Sequence, residues 1–142
     1  MRTLALTIFS LAFGVQFGHG ASIPDNGSSW YSYVGTKRYV FRVTNSEMSK
    51  TPVWREQDEH PPLAARKALR LARTRLVEIV KSSRDWRLHS LSLCEWGDKR
   101  HWYYIAAYDV PVPYIDGPPL TMRIPVLMSG DAVKPKVSRW TR

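Results

Sequence analysis

The chain has 142 residues, a formal net charge of +9 at pH 7 and an aromatic content of 12%. This length suits one domain with a single core, and the aromatic content excludes a disordered chain. The single cysteine, Cys94, excludes an intramolecular disulfide framework, so packing must stabilise the fold.

The first twenty residues have the three parts of a cleaved secretory signal. Arg2 supplies a positive charge, residues 3–17 form an uncharged apolar run, and small residues follow at Gly18 and Gly20. The run is shorter than the roughly 20 residues of a spanning helix, so a membrane anchor and a buried core helix are less favoured alternatives. We predict cleavage after Gly20, a secreted or periplasmic location, and no transmembrane segment in the mature chain.

A flexible lead is predicted for residues 21–38, which begin with a stretch rich in Pro, Gly, Asn and Ser. Asn26 opens a glycosylation sequon, which matters only where the source glycosylates exported chains. The first strand candidate covers residues 30–44, and its clearest alternation starts at Tyr39. The domain itself is therefore predicted over residues 39–133, followed by a basic tail at 134–142.

Residues 64–81 contain neither Gly nor Pro, and their apolar side chains recur at spacings of three and four. This pattern predicts an amphipathic helix. Its polar side is strongly basic, since six cations stand against one acid, Glu78.

Two further strands are predicted at residues 86–96 and 101–110, joined by a tight turn at 97–100 into a hairpin. Counting back from the turn places Cys94 opposite Tyr103 and Trp96 opposite His101, with a bulge near residues 90–93. A Pro- and Gly-rich connection at 111–119 leads to a fourth strand at 120–128. Pro125 has no N–H to donate, so we expect it at a sheet edge or a bulge.

These elements predict an α+β domain in the order β-α-β-β-β, with one amphipathic helix packed on an antiparallel sheet of about four strands. That order, the helix at 63–81 and the paired strands around Trp96 and Trp102 resemble cystatin-like folds and small exported domains of PepSY type. The resemblance implies a helix wrapped by an antiparallel sheet. The Gln-x-Val-x-Gly loop of true cystatins is missing at residues 95–99, so the resemblance implies no protease inhibition.

Two surfaces are candidates for binding. The basic helix offers forked donors to an anionic partner at Arg66, Lys67, Arg70 and Arg73, unless these side chains are merely solvated. The third strand has aromatic residues on both faces, of which one set should pack under the helix and the other remain for a partner or a second copy. This aromatic set is Trp102, Tyr103, Tyr104 and Tyr108.

Catalysis and metal binding have little support in the sequence. Cys94 and His101 are diagonal neighbours in the predicted hairpin, which leaves a thiol enzyme as one alternative. The histidines do not cluster, and we predict no metal site and no cofactor.

The favoured hypothesis is an exported, non-enzymatic binding or structural domain. A polyanion-binding module is the first alternative, and the thiol enzyme is the second. The partners considered are an acidic protein, a glycan, a membrane surface or the chain itself. Nucleic acid is the least favoured partner because export separates the chain from most of it.

Overall fold

The computed structural model describes residues 26–111 and 120–140. The predicted signal peptide and most of the predicted Pro- and Gly-rich connection lie outside the described residues. The described chain contains two helices and six strands: β1 (Ser28–Val34), β2 (Lys37–Val43), α1 (Asn45–Met48), α2 (Ala65–Ile79), β3 (Arg87–Glu95), β4 (Trp102–Val110), β5 (Leu120–Leu127) and β6 (Lys136–Arg139).

The predicted fold of one helix on a four-stranded sheet is wrong. The strands form two antiparallel three-stranded sheets, in the orders β1-β2-β6 and β3-β4-β5. The first additional strand, β1, lies in the segment predicted as one long strand beginning within the lead. The second, β6, lies in the segment predicted as a basic tail. The molecule is therefore mostly β.

A two-residue turn at Gly35 and Thr36 divides the first predicted strand into β1 and β2. Val34 pairs with Lys37 across it, and Gly35 has a φ of 58°. A hairpin turn of type II′ needs a positive φ at its first central position, which glycine adopts without a steric penalty. The turn reverses the chain, so β1 and β2 pair along their whole length.

Helix α2 packs its apolar stripe against β4 and β5, as its spacing predicts. Ala68, Ala72 and Leu76 on this stripe are fully buried. The alanines let the helix axis approach the sheet closely. The main core lies around this stripe and joins both sheets through Tyr39, Phe41, Tyr104, Tyr108, Met122, Ile124 and Val126.

A second, smaller core contains Val43, Met48, Trp96 and Leu127. Tyr103 packs against it from the face of β4 that points away from α2. Both faces of the β3-β4-β5 sheet therefore carry packed side chains.

The predicted hairpin of β3 and β4 is confirmed, and Cys94 pairs with Tyr103 as counted from the turn. The bulge lies between Leu88 and Ser90, slightly earlier than predicted. Pro125 lies in the edge strand β5, as expected. Among the described residues, neither helix is long and apolar enough to cross a bilayer.

Candidate binding face

One face of the β1-β2-β6 sheet points away from the core, and we call it the open face. Its members follow from the register, because residues directly paired across antiparallel strands share a face. Tyr31 pairs with Val40, which pairs with Lys136, and none of the three is buried. The open face consists of Ser29, Tyr31, Tyr33, Arg38, Val40, Arg42, Lys136 and Ser138.

Trp140 extends the open face beyond the end of β6. Its amide donates a hydrogen bond of 2.7 Å to the carbonyl of Thr36, which holds the chain beside the β1–β2 turn. The indole ring then lies with its centroid 5.1 Å from that of Tyr33. Two aromatic rings are thereby fixed side by side at one end of the face.

The open face combines exposed rings with cations. Tyr31 is 52% exposed, Tyr33 41% and Trp140 39%, although large apolar side chains normally seek burial. Arg38 is oriented by a hydrogen bond of 3.2 Å from its Nε to Ser138 Oγ, and Arg42 and Lys136 are exposed. No aspartate or glutamate belongs to the face. The rings and the positive charge therefore point into solvent together.

A groove of about 960 Å³ continues the open face towards α1 and residues 129–136. Lys50 and Lys134 line it together with Lys136 of the open face, and no ion pair among the described residues involves these three lysines. Two acids also line the groove, and both have intramolecular partners. Glu47 accepts hydrogen bonds from the backbone N–H and Oγ1 of Thr44, and Asp131 accepts one from Ser129.

In β1 a small polar residue points towards the core and aromatic residues point outward, which is the reverse of the usual strand pattern. This reversal places the aromatic rings on the open face. Ser32 points inward and is only 2% exposed, because its hydroxyl accepts a hydrogen bond of 3.2 Å from the backbone N–H of Arg123. The larger side chains of Tyr31 and Tyr33 point outward. Burying a serine hydroxyl that has a hydrogen-bond partner costs little free energy. The aromatic rings of β1 are therefore not needed in the core and remain exposed on the open face.

The predicted basic helix does not act as one surface. Arg66, Lys67 and Arg70 are exposed, but Arg73 is half-buried. Arg73 donates to the carbonyls of Trp86 at 2.9 Å and Ser83 at 2.8 Å, and its guanidinium lies 5.8 Å from the centre of the Tyr108 ring. Arg73 therefore holds the helix to the segment that precedes β3.

The four aromatic residues singled out on β4 separate into different environments. Tyr104 and Tyr108 are 4% and 3% exposed and face α2, where their hydroxyls donate to the carbonyls of Leu63 and Leu69. Tyr103 is half-buried between Trp30 and Trp96, with centroid distances of 5.4 and 5.7 Å.

Trp102, the fourth of these residues, lines a second cleft of about 620 Å³ with Trp54, whose ring meets it edge-on at 5.1 Å. This cleft is lined by charges of both signs, Arg55, Lys99 and Arg100 against Glu56 and Glu95. It therefore carries no clear preference for the charge of a ligand.

Cys94 and His101 are not brought into a catalytic arrangement. The His101 ring is bonded to the Asp98 carboxylate, whereas the Cys94 thiol contacts Ser92 and Tyr103. Burial raises the pKa of the Cys94 thiol, although a hydrogen bond with Tyr103 opposes the shift. A nucleophilic thiol needs the opposite shift.

Burial, together with the neighbouring Cys94, also raises the pKa of Tyr103, to about 12. Within the described ranges, no three residues of the His, Cys, Asp and Glu types converge on a possible metal position.

Most of the open face was not predicted from the sequence. The predicted lead at residues 21–38 overlapped a single predicted strand at 30–44 without the turn at Gly35, and residues 134–142 were assigned to a basic tail. The Tyr31 and Tyr33 alternation, a Gly at position 35 and the alternation of Lys136, Ser138 and Trp140 were the available signals. Comparisons with protein-family models, with curated proteins and with solved structures found no match, and the cystatin-like resemblance stays a prediction.

Proposed function

We propose that this chain is an exported, non-catalytic domain that binds an anionic polysaccharide through its open face. The observation that carries the proposal is the combination of three exposed aromatic rings and three cations on one sheet face without an acid. Rings can stack on the apolar faces of sugars, while guanidinium and ammonium groups pair with carboxylate or sulfate.

The shape of the open face suits an extended polymer better than a small molecule. β2 has seven residues, so the face is about 20 Å long at roughly 3.3 Å per residue. Small-ligand sites are concave and bury most of the ligand. The open face is instead an open sheet surface that continues into the groove with Lys50 and Lys134, so one extended polymer can lie across both.

Export supports a polysaccharide over nucleic acid, since a secreted domain meets acidic glycans in its surroundings. Export itself rests on the predicted signal peptide. The raised pKa of the Cys94 thiol and the engagement of His101 by Asp98 support a non-catalytic role.

The test compares two variants with matched changes in charge. Arg42→Gln with Lys136→Gln removes one Arg and one Lys from the open face, and Arg70→Gln with Lys67→Gln does the same on the exposed side of α2. Binding of a heparin octasaccharide is measured by calorimetry at several salt concentrations. We expect the open-face variant to bind about tenfold more weakly, because two exposed charge contacts together contribute at most about 2 kcal/mol and each 1.4 kcal/mol is a factor of about ten.

Its salt dependence should also become shallower, by roughly one unit of slope per cation removed, as counterion release predicts. The helix variant should retain the native slope. A native protein that does not bind heparin contradicts the proposal. A loss confined to the helix variant transfers the site to Arg66, Lys67 and Arg70.

The aromatic contribution is tested separately by Trp140→Ala. The ring carries no charge, so its removal should weaken binding without changing the salt slope. Undiminished affinity would show that the ligand contacts the cations alone. Phosphatidylserine vesicles serve as a second probe, and tighter binding to vesicles than to heparin would identify an anionic membrane surface instead of a glycan.

A further inference from the structure

We infer that the cleft between Trp54 and Trp102 binds a small zwitterion that joins a quaternary ammonium group to a phosphate, as in phosphocholine. The cleft of about 620 Å³ has the size of a small-ligand pocket. It shares no residue with the open face or with the groove beside it, so this second site is independent of the polysaccharide site.

Two indole rings form adjacent walls of the cleft. The centroids of Trp54 and Trp102 are 5.1 Å apart, and their planes meet at 71°. Rings at such an angle bound a corner instead of forming one flat platform. A cation is attracted to the face of an indole ring within about 6 Å of its centre, and sets of such rings recognise quaternary ammonium ligands. The corner therefore suits a compact methylated cation better than the broad face of a sugar ring.

Both rings are held in place before any ligand arrives. The backbone N–H of Trp54 donates to the Arg100 carbonyl at 3.2 Å, and its indole N–H donates to the Asp58 carbonyl at 3.3 Å. The Asp58 carboxylate also accepts a hydrogen bond of 2.9 Å from the backbone N–H of Arg55. Trp102 lies in β4 and packs against the main core. Walls that are already ordered lose little conformational entropy on binding.

Charged side chains of both signs line the cleft, and all of them are exposed. They are Arg55, Lys99 and Arg100 against Glu56 and Glu95. No ion pair within residues 26–111 and 120–140 involves any of these five. A zwitterion offers each sign a partner of opposite charge without adding a net charge to the cleft, and guanidinium groups match phosphate with paired donors. The charges therefore favour a ligand that carries both signs.

The register gives the ligand an orientation. Glu95 pairs directly with Trp102 across β3 and β4, so its side chain leaves the sheet on the same face as the Trp102 ring. Lys99 and Arg100 lie in the turn before Trp102, where the Asp98 carboxylate accepts a hydrogen bond of 2.9 Å from the Arg100 N–H. The ammonium group accordingly lies against the rings and Glu95, and the phosphate lies towards Lys99 and Arg100.

The first experiment compares ligands on purified native protein by calorimetry, so it does not depend on the folding of any variant. The probes are phosphocholine, choline, inorganic phosphate and dimethylbutyl phosphate, in which carbon replaces the ammonium nitrogen. We expect phosphocholine to bind about fivefold more tightly than dimethylbutyl phosphate, which corresponds to about 1 kcal/mol for the attraction of the cation to the rings. Phosphocholine should also bind more tightly than choline or phosphate alone.

The second experiment locates the site with matched variants. Trp54→Leu keeps the apolar bulk but removes the ring, so it should weaken phosphocholine binding about fivefold and abolish the preference over dimethylbutyl phosphate. Trp54→Phe should retain part of that preference. Glu95→Gln should weaken the binding of phosphocholine but not that of dimethylbutyl phosphate. The control is Trp140→Leu, the same substitution on the open face, which should leave phosphocholine binding unchanged.

The source of the zwitterion is tested with phosphatidylcholine vesicles. Vesicle binding by native protein but not by Trp54→Leu would identify a lipid headgroup, and binding of free phosphocholine alone would identify a soluble ligand; both results support the site. Three results overturn it: no binding of phosphocholine at millimolar concentration, equal binding of dimethylbutyl phosphate, or an equal loss in Trp140→Leu. Tighter binding of methyl glucoside than of phosphocholine would also overturn it, in favour of a neutral sugar.

Discussion

Arg73 provides the sharpest test of whether the basic helix is structural or ligand-binding. Replacing Arg73 with Met keeps the apolar stem and removes the guanidinium, which donates to two backbone carbonyls and lies over the Tyr108 ring. A hydrogen bond from a charged donor contributes about 1.5–3 kcal/mol, and the half-buried position favours the lower end of that range. The ring contact adds about 0.5–1 kcal/mol.

Because these contributions are not fully additive, we expect Arg73→Met to lower the free energy of unfolding by about 2–3 kcal/mol. The measurement is urea denaturation followed by tryptophan fluorescence. With a slope of about 1–3 kcal/mol per molar, the midpoint should fall by roughly 0.7–3 M. The control is Arg70→Met on the exposed side of the same helix, which should change stability by less than about 0.5 kcal/mol. An equally small change in Arg73→Met would refute the structural role of Arg73.

Three further predictions concern backbone geometry and pH. Lys99 has a φ of 58°, so Lys99→Gly should raise the free energy of unfolding by about 0.5–1 kcal/mol, and a measured decrease would contradict the strain. A Cβ on Gly27 would lie 1.9 Å from the carbonyl oxygen of Val43, so Gly27→Ala should lower the thermal unfolding midpoint by several degrees, whereas an unchanged midpoint would refute the close approach. Burial alone would raise the pKa of Asp98, but hydrogen bonds from the Arg100 and His101 amides and the His101 ring hold it at about 2. Since this pKa is depressed, the stabilisation by the ionised Asp98 carboxylate is present above about pH 4 and is lost as the pH falls towards 2. The stability advantage of native protein over Asp98→Asn should therefore shrink across that range. A constant difference would exclude the carboxylate as the source of the stabilisation.

The parts of the fold that depend on interactions between residues close in sequence were predicted from local patterns. The apolar spacing of residues 64–81 required a helix that buries one stripe, and α2 spans Ala65–Ile79. A tight turn determines the register of the strands it joins, so counting from residues 97–100 gave the Cys94–Tyr103 pair. Pro125 lacks an N–H, and its place on the outer side of β5 removes no bond from the β4 ladder.

The remaining fold depended on distant contacts that local patterns do not contain. β6 is only four residues long and exists because β2 pairs with it about 100 positions away in the chain, as in the Arg38–Ser138 hydrogen bond. β1 was predicted only as part of one long strand at residues 30–44, because the reversal of the chain at Gly35 was not recognised. The open face was missed because β1 was not separated from β2 and because β6 lies in the predicted tail.

NMR chemical-shift changes on addition of a heparin octasaccharide would locate the ligand on the protein surface. We predict the largest changes in the ring signals of Tyr31, Tyr33 and Trp140 and in the amides around Arg38 and Lys136, with signals of α2 unchanged. Changes centred on Arg66, Lys67 and Arg70, or no changes at a low salt concentration, would contradict it.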